Sequence, residues 1–192
     1  MNAVSTFDTH ERLPLHRRAR RCRSGSAAIE FAFIAPVLAL FLFGIIETGV
    51  IFFAQSTLQN AADDAARLVR TGQAQNQGMT RSQYVAQICS EMSGLIGSST
   101  CVANLQVDME SFSDFSSASY NNVLNKNGSL NNSQMEYLTG SACDVVLVRA
   151  FYPWTIMTPL MAPLLENMPN GQYLLAAAEA FRNEPYASGA TC

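Results

Sequence analysis

Apolar residues dominate one stretch near the start of the chain. Residues 31–46 contain no charged side chain, and after Glu47 the apolar character continues to Ala54. As a helix, the 24 residues 31–54 would reach roughly 36 Å, which exceeds the hydrocarbon thickness of a bilayer, about 30 Å. The pattern therefore predicts a transmembrane helix, with residues 26–54 as its membrane part.

The helical pattern continues beyond the apolar stretch and becomes amphipathic in residues 55–72. The apolar positions there follow a helical period, with polar residues between them: Leu58, Ala61, Ala62, Ala65, Leu68 and Val69. Gly72 is a typical helix stop, so one helix is predicted over residues 27–70. A second helix is predicted over residues 80–96, closed by Gly97.

Three later segments have the pattern of β-strands. Residues 102–112 alternate between apolar and polar side chains, and residues 143–154 contain a run of valines ended by Pro153. Residues 172–182 also alternate, although their alanine content is compatible with a helix as well. We predict an α+β, pilin-like fold. A long N-terminal transmembrane helix continues into a small domain, residues 73–192, with an antiparallel sheet of about three strands and one or two packed helices.

Two connecting segments lack a regular pattern. Residues 113–140 are rich in serine and asparagine and predict a long loop with at most one helical turn. Residues 155–169 carry three prolines and a set of long apolar side chains that includes Met157, Leu160, Met161, Leu164, Leu165 and Met168. We interpret this segment as a connector packed on the core; the alternative is an exposed apolar patch that binds a partner or the membrane surface.

The charge is divided unevenly along the chain. Residues 1–25 hold six arginines against two carboxylates, a net of +4, whereas residues 26–192 hold six Lys and Arg against thirteen Asp and Glu, a net of −7. The positive-inside rule then places the basic leader in the cytoplasm and the acidic remainder outside. Phosphate repulsion by the acidic domain argues against a nucleic-acid partner. The basic leader alone could be a nucleic-acid patch, but its position beside a membrane segment argues against that use.

The cysteines are also distributed across the predicted membrane segment. Cys22 lies in the basic leader, and four cysteines follow the apolar stretch. In an oxidising compartment, four cysteines predict two disulfides, and the sequence allows three pairings. The favoured pairs are Cys89–Cys101 and Cys143–Cys192; the alternative is four free buried thiols. No CxxC motif occurs, and no metal site is predicted.

Two carboxylates interrupt the apolar character, Glu30 and Glu47. They are 17 residues apart, about 25 Å along a helix. A carboxylate inside a bilayer costs a few kcal/mol, so such residues usually lie at an interface or are paired. We interpret Glu47 as an interfacial residue where the helix leaves the membrane; the alternative is a contact with a partner helix.

The residues around Gly25 form the arrangement that a prepilin peptidase cuts. A basic leader precedes Gly25, Glu30 follows five residues later, and Phe31 begins the hydrophobic helix. Cleavage after Gly25 would remove residues 1–25 and give Ser26 a free amine. Glu30 would then lie one helical turn away, where it can compensate that charge within the chain or in a neighbouring subunit.

Catalytic motifs do not compete with this interpretation. No histidine follows His16, so the processed chain would have no His-based triad or relay. The sequence also has no P-loop, GxSxG or HExxH motif. We therefore expect no enzyme activity, no cofactor and no small-molecule substrate.

The run from Gly25 to Gly72 resembles the N-terminal region of TadE-like proteins, which are pseudopilins or minor pilin-like components of the bacterial tight adherence (Flp pilus) system. The FRNEPY run, residues 181–186, is similar to the end of such proteins. The family's cleavage pattern maps onto Gly25, Glu30 and Phe31. The resemblance implies processing by a prepilin peptidase and a bacterial inner-membrane helix with a cytoplasmic N-terminus and a periplasmic domain. It also implies a role in pilus biogenesis with other pilin and pseudopilin subunits and inner-membrane assembly proteins.

Two other functions are compatible with the same residues. The first is an unprocessed single-pass anchor whose outer domain scaffolds periplasmic envelope partners. The second is a tethered thiol-redox enzyme, which would need a reactive cysteine.

Overall fold

The computed structural model describes the backbone of residues 16–192 and the side chains from Gly25 onward. The basic leader predicted over residues 1–25 therefore lies almost wholly outside the described side chains. The chain divides into two compact units, one ending at Leu42 and the other beginning at Phe43.

The described residues contain five helices and three strands. The helices are α1 (His16–Arg70), α2 (Gln73–Asn76), α3 (Arg81–Glu91), α4 (Ser98–Asn104) and α5 (Ala162–Leu165), and a 3-10 turn covers Asn132–Gln134. The strands are β1 (Gln106–Phe112), β2 (Val145–Thr155) and β3 (Gln172–Arg182). They form one antiparallel sheet in the order β1-β2-β3. The predicted α+β class and its three-stranded sheet are confirmed.

Helix α1 begins at His16, eleven residues before the predicted start, and ends at Arg70 as predicted. Pro36 lies inside it without ending it. In the first unit, apolar side chains such as Phe31 and Phe33 are exposed. Among the described residues, α1 is the one helix long and apolar enough to cross a membrane, by length and composition. Such a segment suggests membrane anchoring.

In the second unit, the amphipathic face of α1 packs on one face of the sheet. The core cluster takes side chains from all three strands and from α3. Its α1 members are mostly small: Ile51, Ala54, Leu58, Ala61, Ala62, Ala65 and Val69. Alanine allows the helix backbone to approach the sheet closely, and the strands contribute every second residue, as their period of two requires.

The opposite face of the sheet carries a buried charge cluster. Arg149 donates from Nη2 to Asp108 Oδ2 at 2.5 Å and to Glu110 Oε1 at 3.1 Å. Its Nη1 donates to the carbonyl of Asn121 at 3.0 Å, and the Glu136 amide donates to Asp108 Oδ1 at 2.7 Å. Burial, followed by repulsion from Asp108, raises the pKa of Glu110. These bonds attach the long loop 113–140 to the sheet.

Two predicted boundaries were wrong around the first disulfide. Helix α3 ends at Glu91 instead of residue 96, and residues 98–104, expected as a turn and the start of a strand, form α4. Cys101 and Leu105 are both buried and four residues apart, which is helical spacing instead of the alternation of a strand. The Cys89–Cys101 disulfide joins α4 to α3.

Strand β2 continues through Pro153 to Thr155, whereas the sequence predicted that the strand would end at the proline. Pro153 pairs with Leu174 of β3. Strand β1 begins at Gln106, opposite Phe151, so the chain at Pro153 is paired on one side only. Proline is tolerated at such an edge position because no second ladder needs its N–H.

The FRNEPY run returns to the C-terminal end of α1. The Glu184 amide donates to the Arg70 carbonyl at 2.8 Å, and the Tyr186 ring lies directly on Gly72. Asn183 is buried and donates from Nδ2 to the carbonyls of Thr139 and Ser141, at 3.0 and 2.9 Å. We call residues 183–186 with Arg70 and Gly72 the C-terminal latch.

Gly72 is the position in the latch that is most sensitive to substitution. Its φ of +78° favours glycine, and a Cβ there would collide with the Tyr186 ring. Gly78 has a φ of +59° but no atom within 4 Å of the corresponding Cβ position. We predict that Gly78→Ala lowers the free energy of unfolding by about 1 kcal/mol, from backbone strain alone.

Gly72→Ala should lower the free energy of unfolding by about 3 kcal/mol, because steric overlap with Tyr186 adds to the strain. Chemical denaturation of the detergent-solubilised full chain, followed by circular dichroism, measures both values. Equal losses for the two variants would contradict the latch.

Candidate functional site

The residues of the predicted cleavage site lie on one exposed stretch of α1. Ser26 Oγ donates to Glu30 Oε1 at 3.0 Å, one helical turn away. No heavy atom lies within 4 Å of a Cβ built at Gly25. Glycine inside a helix weakens it by roughly 0.5–1 kcal/mol relative to alanine. Gly25 therefore lowers the local stability of the helix next to the bond between Gly25 and Ser26.

The carboxylate of Glu47 is placed very differently, because it is buried inside the second unit. Its side chain is 2% exposed. Oε1 accepts the Met157 amide at 3.0 Å, and Oε2 accepts the Thr158 amide at 3.0 Å and the Thr158 hydroxyl at 2.9 Å. We call this group of three residues the Glu47 clasp. Both oxygens are satisfied by hydrogen bonds, so the carboxylate is compensated without a cation.

In the described residues, Glu47 takes its hydrogen-bond partners from its own chain. Its interpretation as an interfacial residue where the helix leaves the membrane stays a prediction. Two of the three donors are backbone amides, which every residue type except proline supplies. The Thr158 hydroxyl is the one side-chain donor, and it carries no pattern that links it to a residue 111 positions away.

A second contact lies one turn before the clasp. Met161 packs on Gly44, where an added Cβ would lie 2.9 Å from the Met161 Cε. Ile156, at the other end of the same segment, is buried. The segment after β2 is therefore held against α1 by a hydrogen-bonded carboxylate and by a side chain seated on a glycine.

Farther along α1, two glutamines bind β3. Gln55 donates from Nε2 to the Ala176 carbonyl at 2.6 Å and accepts the Ala176 amide at 3.2 Å. The Gln55 side chain thus pairs with the outer edge of β3, which would otherwise offer free backbone groups to another strand. Gln59 donates to Glu179 at 2.7 Å. Burial, followed by the neighbouring Asp63, raises the pKa of Glu179.

The cysteines that follow the apolar stretch are joined in two disulfides, which suggest an extracytoplasmic domain. They link Cys89 to Cys101 and Cys143 to Cys192, with Cα atoms 5.6 and 5.3 Å apart. Within the part of the chain that the structure describes, no group of three or more His, Cys, Asp or Glu side chains is arranged to hold a metal ion.

The Glu47 clasp predicts a specific cost for neutralising one carboxylate. Glu47→Gln keeps the shape but turns an NH2 group toward one of the backbone donors, leaving a buried donor unpaired. We expect the free energy of unfolding of the detergent-solubilised chain to fall by about 2 kcal/mol. Asp64→Asn, the same charge change at an exposed position of α1, should change it by less than about 0.5 kcal/mol. If the two variants unfold alike, the clasp does not stabilise the domain.

Comparison with known proteins gives one match, and it covers the helix that carries both carboxylates. Residues 25–67 match the protein family described as TadE-like protein. No curated protein and no solved structure matches the chain. The matched residues include Gly25, Ser26, Glu30 and Glu47, and such families are typically pilin-like proteins without enzyme activity. Over residues 25–67 the chain is thus similar to TadE-like proteins.

Proposed function

We propose that this chain is a pilin-like (pseudopilin) subunit of a bacterial tight adherence, or Flp, pilus, and that a prepilin peptidase cuts it between Gly25 and Ser26. The observation that carries the proposal is the TadE-like match, which begins at Gly25 itself. The exposed apolar side chains that follow, with the single carboxylate Glu30 among them, support it. An unpaired apolar helix of this kind needs a bilayer or the helices of neighbouring subunits around it.

Cleavage would create a positive charge, the α-amine of Ser26, close to the Glu30 carboxylate. The new α-amine of Ser26 would sit on the first residue of the helix. The present 3.0 Å bond between Ser26 Oγ and Glu30 Oε1 shows that these two side chains reach each other. A neighbouring subunit could supply the amine instead, and an amine–carboxylate pair in an apolar helical bundle is stronger than one in water.

In the second unit, the domain is attached to residues 43–70 of α1 at several points and would move together with them. The Glu47 clasp holds one end of residues 43–70, the Gln55 and Gln59 contacts hold the middle, and the C-terminal latch holds the far end. A domain attached at three levels follows the helix when a subunit is moved. Such attachment supports a structural role in assembly.

The proposed location follows from the same features. The helix lies in the bacterial inner membrane with its N-terminus in the cytoplasm, and the disulfide-bonded domain lies in the periplasm. The partners are the prepilin peptidase, other pilin and pseudopilin subunits, and the inner-membrane assembly proteins of the pilus. The processed chain acts in the membrane as an assembly factor or enters the filament.

Co-expression with the matching prepilin peptidase tests the proposal by mass spectrometry. The wild-type chain should lose the mass of residues 1–25, and Gly25→Ala should retain it. A Cβ at Gly25 meets nothing within 4 Å, so a block would come from the peptidase's requirement for glycine and not from misfolding.

Gly49→Ala is the matched control, since it adds the same methyl group to the same helix, also with nothing within 4 Å. This variant should be cut like the wild type. An unchanged mass of the wild-type chain beside an active peptidase would refute the proposal. It would favour the unprocessed anchor.

A further inference from the structure

The segment that follows β2 presents an exposed apolar surface. Met157, Leu160 and Leu164 are 63%, 74% and 77% exposed. Residues 156–165, which we call the connector, contain no charged side chain. Pro159 and Pro163 limit its backbone freedom. The connector thus exposes three large apolar side chains within a short, stiff segment. Such a cluster indicates a contact surface, unlike apolar residues that are exposed singly.

The Glu47 clasp fixes the level of this surface along α1. The connector is bonded at Met157 and Thr158 to Glu47 and seated at Met161 on Gly44. A helix needs about 20 residues to cross the hydrocarbon core, so within the predicted membrane part, residues 26–54, the span ends between about residue 46 and residue 54. The connector is therefore tied to α1 at the start of the stretch over which the span leaves the outer leaflet.

The composition around the connector matches a membrane interface. Between Arg149 and Glu179 the chain has one charged residue, Glu166. Trp154 and Tyr173 pair across β2 and β3 immediately beside the connector, and both are partly buried. Tryptophan and tyrosine are enriched at the level of the lipid headgroups. Charged side chains are disfavoured in the hydrocarbon core beneath that level.

We propose that the connector is a second membrane contact, which inserts Met157, Leu160 and Leu164 into the outer-leaflet interface beside α1. The occupant is lipid, because the surface is continuous with the level at which the span ends and the nearby chain is nearly free of charge. The proposal depends on α1 lying in a bilayer but not on cleavage at Gly25. Two attachments, the helix and the connector, then set the orientation of the domain on the membrane.

Tryptophan fluorescence in vesicles tests this contact directly. Trp154 is the single tryptophan of the chain, so Trp154→Phe gives a silent background. Leu160→Trp in this background places the probe on the connector. Tyr120→Trp is the control, because Tyr120 is also 74% exposed but lies away from the connector. The Tyr120 ring is in contact with Arg149. Arg149 is five residues from Trp154 along β2, a distance of roughly 16 Å.

The full chain is reconstituted in vesicles of phosphatidylethanolamine and phosphatidylglycerol, with and without lipids brominated on the acyl chains. The proposal predicts that the Leu160→Trp probe emits at shorter wavelength and loses most of its emission to brominated lipid. The Tyr120→Trp probe should be quenched by aqueous iodide and not by brominated lipid. Leu164→Trp, at the other exposed end of the connector, should repeat the Leu160→Trp result.

Two results would overturn the proposal. If connector probes are quenched by iodide to the same extent as the Tyr120→Trp probe, the surface faces water. If they are protected from both iodide and brominated lipid, the occupant is protein, such as a second copy of the chain.

Discussion

The burial of one carboxylate, Glu47, is the constraint on which the rest of the arrangement depends. A single helix must present apolar side chains to its surroundings in one half and pack on a folded domain in the other. Glu47 lies where this change occurs. A carboxylate buried to this degree requires hydrogen-bond donors, and the donors available are the backbone amides at the start of the connector. That requirement fixes the position of the connector on α1. It also fixes where β2, which leads into the connector, lies along the helix.

From the clasp onward, α1 is held by contacts of three kinds. Alanines at Ala54, Ala61 and Ala65 bring its backbone close to the sheet, and Gln55 pairs with the outer edge of β3. The C-terminal latch then fixes the end of the helix, where Gly72 leaves room for Tyr186. The ion pair between Arg70 and Glu184, at 3.6 Å and about half exposed, adds little to stability. The attachment therefore depends on packing and on hydrogen bonds to the backbone.

The fold could be predicted from the sequence where a pattern was long and local. The apolar and amphipathic periods defined α1 to its last residue, Arg70, and the alternation in residues 172–182 predicted β3. The failures were short elements and long-range contacts. Helix α4 has seven residues, too few to show a period, and β2 continues past Pro153 because its pairing with β3 extends to Thr155. The partners of Glu47 could not be predicted, because backbone amides leave no trace in a sequence. The sequence drew attention to the FRNEPY run, which contains the latch residues, but not to their contact with Arg70 and Gly72.

We propose that the helix which carries this domain begins, in its working form, at Ser26. The N-terminal residue of the chain recovered from bacterial membranes and from sheared pili tests this proposal. We expect Ser26 with a free amine in the membrane fraction. Ser26 in the pilus fraction as well would mark a filament subunit, and its restriction to membranes would mark an assembly factor. A chain that retains residues 1–25 in cells with an active prepilin peptidase would contradict the account.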